Sequence, residues 1–94
     1  DIFMNENKLV FQDFLRSRIH SYRSVHAFSQ EHMAEALRIS PRSYIDQEHG
    51  KYGFSAMTLV YYIFLLNDEE ILTFIGELRY LMGRRKEDVA ESHI

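Results

Sequence analysis

The chain has 94 residues, 46% of them hydrophobic and 14% aromatic, with a formal net charge of −3 and no Cys. That length suits one domain with a single core, and the apolar content excludes global disorder. Within the chain, disulfides, zinc–thiolate sites and a cysteine nucleophile are excluded, which fits a reducing compartment.

One Pro and four Gly interrupt the sequence, and apolar residues recur at spacings of three and four, the period of helices. Helix 1 is expected over about residues 5–22, with Leu15, Ile19 and Tyr22 on one stripe and Phe11 above them. Residues 24–27 read as a connector. Ser29 is the expected N-cap of helix 2, where its hydroxyl accepts from a free amide of the first turn; Met33, Ala34 and Leu37 face inward. Arg38, Ile39 and Ser40 form a break. Ser40-Pro41 starts helix 3, because Ser caps and Pro tolerates the first helical position. Helix 3 covers about residues 41–48, Gly50 suits a left-handed C-cap, and residues 51–54 are a turn. Helix 4, from Ser55 to about Leu66, is apolar on most faces (Met57, Leu59, Val60, Ile63, Phe64) and is expected to be buried on nearly all sides. Asn67-Asp68-Glu69-Glu70 opens helix 5 with an N-cap and a Glu three residues later. Its stripe is Ile71, Phe74, Ile75, Leu78, Leu81 and Met82, and it ends near Gly83. The expected organisation is a single domain over residues 1–83 and a charged tail over residues 84–94. The helix 5 stripe has two readings, closure of the monomer core or the seam of a homodimer.

The longest uncharged apolar run, residues 59–66, is far too short for a membrane span. Asp1-Ile2-Phe3-Met4 has neither the basic start nor the apolar stretch of a secretory leader. A cytoplasmic location without a membrane partner is expected. His20, His26, His32 and His49 form no i, i+4 pair and no HExxH frame, so no metal site is expected. There is no Gly-rich phosphate loop and no G-x-S-x-G. No enzyme activity, cofactor or small-molecule ligand is expected.

Two short helices joined by a three-residue turn make the helix-turn-helix geometry. Ala34 lets the backbones approach, Ile39 plugs the core from the turn, and Tyr44 and Leu37 complete the wedge. The run Ser29-Gln30-Glu31-His32-Met33-Ala34-Glu35-Ala36-Leu37-Arg38-Ile39-Ser40 resembles the opening of the Cro/C1 (XRE-like) helix-turn-helix family of bacterial and phage regulators. Without a gap, Glu48-His49-Gly50-Lys51 resembles the Glu-x-Gly-Lys that follows the recognition helix in that family, and residues 55–59 resemble its next helix start. The resemblance covers residues 28–59. It implies an all-α, five-helix lambda-repressor-like bundle whose helices 2 and 3 form the helix-turn-helix.

By position, the resemblance implies a phosphate contact for Gln30 and base contacts from the outward positions of helix 3, namely Pro41, Arg42, Ser43 and Asp46. Arg42 leads these, since a guanidinium bonds guanine O6 and N7 together; a solvated surface Arg is the plainer reading of the same residue. Pro41 has no donor and at best touches a thymine methyl. His49 and Lys51 fall at the phosphate clamp after helix 3, and Glu48 at a structural position that pairs inside the domain. Arg38 stands where the family has a left-handed Gly, at a cost of about 1 kcal/mol. Asp46 stands where Gln, Arg or Lys is common, and an acid there repels phosphate and favours only cytosine N4. An exposed Ile45 would meet a partner or a thymine methyl.

Residues 16–52 hold six basic side chains against four acids, a local charge of +2 inside an acidic chain. The expected function is a sequence-specific, dimeric transcriptional regulator with helix 3 in the major groove of double-stranded DNA. The alternative is a protein–protein interaction module that keeps the repressor fold without specific DNA binding, favoured by the net acidity, Asp46 and Ile45.

Overall fold

The computed structural model describes the backbone of residues 2–91 and the side chains of residues 6–83. The described residues form five helices and no strand: α1 Ile2–Val25, α2 Gln30–Ala36, α3 Pro41–Glu48, α4 Ala56–Leu65 and α5 Asp68–Glu91. None of these helices is long and apolar enough to cross a membrane.

The core follows the expected stripes for three helices. Leu15 and Ile19 of α1, Met33, Ala34 and Leu37 of the α2 region and Tyr44 of α3 are buried, with Phe11, Tyr22 and Ile39 packed against them. Each such large apolar side chain contributes roughly 1.5–3 kcal/mol on full burial. α2 packs on α3 and α4, and α3 on α1, so the short helices are held from several sides.

Helix ends follow local chemistry. Ser29, Ser40 and Ser55 each accept a hydrogen bond from the backbone N–H three residues on. Asn67 and Glu70 form a reciprocal box: the Glu70 N–H donates to Asn67 Oδ1 at 2.8 Å, and the Asn67 N–H donates to Glu70 Oε1 at 2.9 Å. Three helices close with a left-handed residue. At the end of α2, Arg38 has φ 59°, with the Ile39 N–H on Ala34 O and the Arg38 N–H on Glu35 O, both 3.0 Å. This is the Schellman pattern, formed on Arg where Gly is the usual choice. Gly50, φ 82°, closes α3 the same way, with the Lys51 N–H on Asp46 O at 2.8 Å. Ala27, φ 54°, closes α1, so α1 runs to Val25 rather than to the expected residue 22. Nothing in the type of residue 27 signals that stop.

Two further expectations are corrected. α4 is not buried on nearly all sides. Its inward stripe is Thr58 and Tyr62, with Phe54 preceding them, whereas Met57, Val60 and Phe64 are exposed, Phe64 by 70%. The inward polar atoms are matched: Thr58 Oγ1 lies 3.2 Å from Ser55 Oγ, and the Tyr62 hydroxyl donates to Arg18 O at 3.4 Å. Leu59 and Ile63 also pack against the core, and among the described residues no second layer covers the outer face. α5 likewise does not end near Gly83 but continues to Glu91. A single Gly costs a helix about 1 kcal/mol relative to Ala, and Arg84, Arg85, Lys86 and Glu87 are good helix formers that outlast it. The side chains of the expected charged tail, residues 84–94, lie outside the described residues. Within the α5 stripe, Phe74 is buried and Ile75 packs against the core, while Ile71, Leu78, Leu81 and Met82 are half-buried.

The left-handed residues generate a paired expectation. Ala27→Gly relieves the backbone and removes no polar contact, so it raises unfolding free energy by about 1 kcal/mol. Arg38→Gly gains less, about 0.5 kcal/mol, because the Arg38 guanidinium also sits 4.4 Å over the Tyr61 ring. Urea unfolding of the two variants checks both the sign and the order.

Candidate functional site

α3 is an eight-residue helix fixed at both ends. At its start, Ser40 Oγ accepts from the Ser43 N–H and donates to Ser43 Oγ. One face turns Tyr44 fully inward. The other presents Arg42, Asp46 and His49 along one stripe, with Pro41 and Ser43 beside it; Asp46 is half-buried and the other four are exposed.

The expected site residues divide into two groups. Pro41, Arg42, Ser43 and His49 are open on the outer side of α3, and Lys51 is exposed just beyond its end, with Nζ 5.5 Å from the Tyr52 ring centroid. Arg42 is 84% exposed, and its Nε lies 3.5 Å from Asp46 Oδ2. An exposed i, i+4 pair of this kind is worth only about 0.3–0.5 kcal/mol, enough to bias the direction of the guanidinium without tying it down. Gln30 differs from these: it is half-buried, and its Nε2 donates to Glu48 Oε1 at 2.9 Å.

Glu48 is the centre of that inner arrangement. Its side chain is 8% exposed. Arg23 of α1 grips it with Nε on Oε2 at 2.8 Å and Nη2 on Oε1 at 3.0 Å, and Arg23 Nη1 also donates to Phe28 O. The Tyr44 hydroxyl donates to Glu48 Oε2 as well. Burial works to raise the Glu48 pKa, but the hydrogen bonds from Arg23, Tyr44 and Gln30 outweigh it and hold the carboxyl below its ordinary value. Burial first, and then the Glu48 carboxylate, push the Tyr44 phenol well above the usual range.

Sequence reasoning missed the α1 side chains that seat this unit. Gln12 clamps the loop after α3, donating from Nε2 to Phe54 O at 2.9 Å and accepting the Phe54 N–H on Oε1 at 2.7 Å. A Cβ on Gly53 would lie 3.0 Å from Gln12 Cδ, so a side chain there would press on that clamp. Arg16 Nε donates to Gln47 O at 3.2 Å, serving a carbonyl near the end of α3, and Arg16 also pairs with Asp13. Their sequence signal is only that of polar positions on a helix. Among the described residues, no three His, Asp or Glu side chains gather as metal ligands.

The chain matches no protein-family model, no curated protein and no solved structure.

Removing one partner of a buried ion pair costs about 3–5 kcal/mol. Arg23 keeps 20% exposure, so we expect Glu48→Gln to lose about 2–3 kcal/mol in urea at neutral pH. The Glu48 pKa is depressed on folding, so its contribution is complete above the unfolded value of about 4.3. It is lost as pH falls through the lower folded value. The gap between wild type and variant should therefore close in acid. A gap that is constant down to pH ~2 would contradict the linkage.

Proposed function

We propose that the protein is a sequence-specific DNA-binding regulator of the Cro/C1 helix-turn-helix type. In this reading the five helices form a lambda-repressor-like bundle, α2 and α3 are the helix-turn-helix, and α3 enters the major groove of double-stranded DNA. The observation that carries the reading is the α2–turn–α3 unit itself. Leu37, Arg38 and Ile39 close α2 tightly, Ser40 restarts the chain, and the buried Tyr44 leaves Arg42, Ser43 and His49 outward. Arg42 reads guanine with its direction biased by Asp46, and His49 and Lys51 meet phosphates beside it. Gln30 gives one amide N–H to Glu48, which braces the start of α2 and leaves the second N–H for a phosphate. A second copy supplies the second half-site, about 34 Å away along the duplex.

A specific observation favours a second reading, a protein-interaction module. Met57, Val60 and Phe64 recur at i, i+3 and i+7 on the open side of α4, the spacing of a helix face that meets a partner.

Selection of bound sites from a random duplex pool tests the first reading. Arg42→Ala should cost about 1–3 kcal/mol and relax specificity at one base pair. Lys51→Ala should weaken all sequences evenly and reduce the salt slope by about 1. A wild-type chain with no duplex affinity even at low salt would leave the interaction module as the surviving reading.

A further inference from the structure

We propose that the groove between α1, the α4–α5 corner and the first half of α5 binds a compact organic cation, an alkyl or aryl amine. The groove has a volume of about 330 Å³, at the small end of ligand pockets, which run about 300–1,000 Å³. Its lining combines the rings of Tyr22, Tyr62 and Phe74 with the carboxylates of Glu69, Glu70 and Glu77.

The rings are fixed: Tyr22 and Tyr62 meet edge to face at 6.0 Å, and Tyr62 and Phe74 at 5.4 Å. Tyr62 and Phe74 are buried behind this wall and Tyr22 is partly exposed, so the rings supply an apolar seat and the carboxylates on its rim attract the positive charge. Three carboxylates face one guanidinium, Arg18, whose Nη1 lies 3.0 Å from Glu77 Oε2, and the lining's other basic side chain, His26, lies against the Tyr22 ring at 4.0 Å. Glu77 is thereby engaged. Glu70 uses one oxygen in the α5 cap, and Glu69 is exposed on the rim. The lining therefore keeps an excess of negative charge that a cation would complement and an anion would meet as repulsion. Burial raises Tyr62 to about 12, with Arg18 opposing and Glu70 and Glu77 adding to the shift. Burial and then Glu70 raise Tyr22. The groove involves none of the outward side chains of α3, so the proposal stands apart from DNA reading.

Titration of the isotope-labelled chain with phenethylamine, followed by NMR, tests it. Phenethyl alcohol serves as the neutral isostere and hydrocinnamate as the anion. The amine should produce saturable shifts at Tyr22, Thr73 and Glu77, with the alcohol on the order of fivefold weaker and the anion weaker still. Glu69→Gln should weaken the amine roughly two- to fivefold and leave the alcohol unchanged. Thr73→Trp, which fills the groove from an exposed helical position, should abolish the shifts. Equal affinity for amine and alcohol would overturn the proposal and leave an apolar seat for a protein side chain. Absent shifts at millimolar amine, shifts mapping elsewhere, or an unchanged affinity in Glu69→Gln would overturn it too. The Glu69 variant changes only an exposed residue, so the test does not depend on the Trp variant folding.

Discussion

A carboxylate that is 8% exposed has to be matched in charge and in hydrogen bonds, and the manner in which Glu48 is matched organises the rest of the molecule. Its partners come from three places: Arg23 from α1, Gln30 from the first turn of α2, and Tyr44 from one turn earlier in α3. No two of these helices can shift against each other without breaking a charge-assisted bond. Arg23 extends the tie to the connector through Phe28 O. Hydrophobic burial supplies most of the stability, but burial is tolerant of small rotations. A bidentate guanidinium–carboxylate pair is not. The angle at which α3 presents its outer stripe is therefore set by polar geometry at its C-terminal end and by the Ser40 cap at its other end.

The same economy governs the three left-handed helix ends. Ala27 and Arg38 each oppose the intrinsic preference of L-residues by roughly 1–2 kcal/mol. The residue that follows each of them, Phe28 and Ile39, packs against the core. Burying even part of such a side chain offsets a penalty of that size. Strain here is local, and the contact that outweighs it is tertiary. Gly50 carries no such penalty, and the residue after it, Lys51, is exposed. There the loop is retained from outside, by Gln12 on Phe54 and Arg16 on Gln47.

These two kinds of contact explain what could be read in advance. Caps, the Ser40-Pro41 start, Gly50 and the inward stripes of α1, α2 and α3 are encoded within four residues of where they act, and periodicity exposes them. The Asn67–Glu70 box is equally local. α4 misleads because its hydropathy is high all round, whereas burial depends on how many neighbours surround it; Thr58 and Tyr62 win the inner face by shape and by having polar partners. Arg23, Arg16 and Gln12 look like solvated positions of a long helix, and their partners lie 25, 31 and 42 residues away. Nothing local marks a pairing at that distance. Ala27 hides for the opposite reason, since its conformation follows from the burial of its neighbour and not from its own chemistry.

The distribution of charge bears on the function in the same way. Of the six basic residues between positions 16 and 52, Arg16, Arg18 and Arg23 are engaged with Asp13, Glu77 and Glu48. Arg38, Arg42 and Lys51 are exposed, and Arg38 lies over Tyr61. On the same unit, Glu31 and Glu35 face solvent on α2. A DNA reader built this way neutralises few phosphates, so its sequence-independent binding is weak and its salt slope shallow. Its discrimination would then rest on Arg42, whose direction Asp46 only biases. Weak non-specific affinity is no defect in such a reader. The useful quantity is the ratio of specific to non-specific binding, and a phosphate term common to both cancels from it, so the base contact sets that ratio.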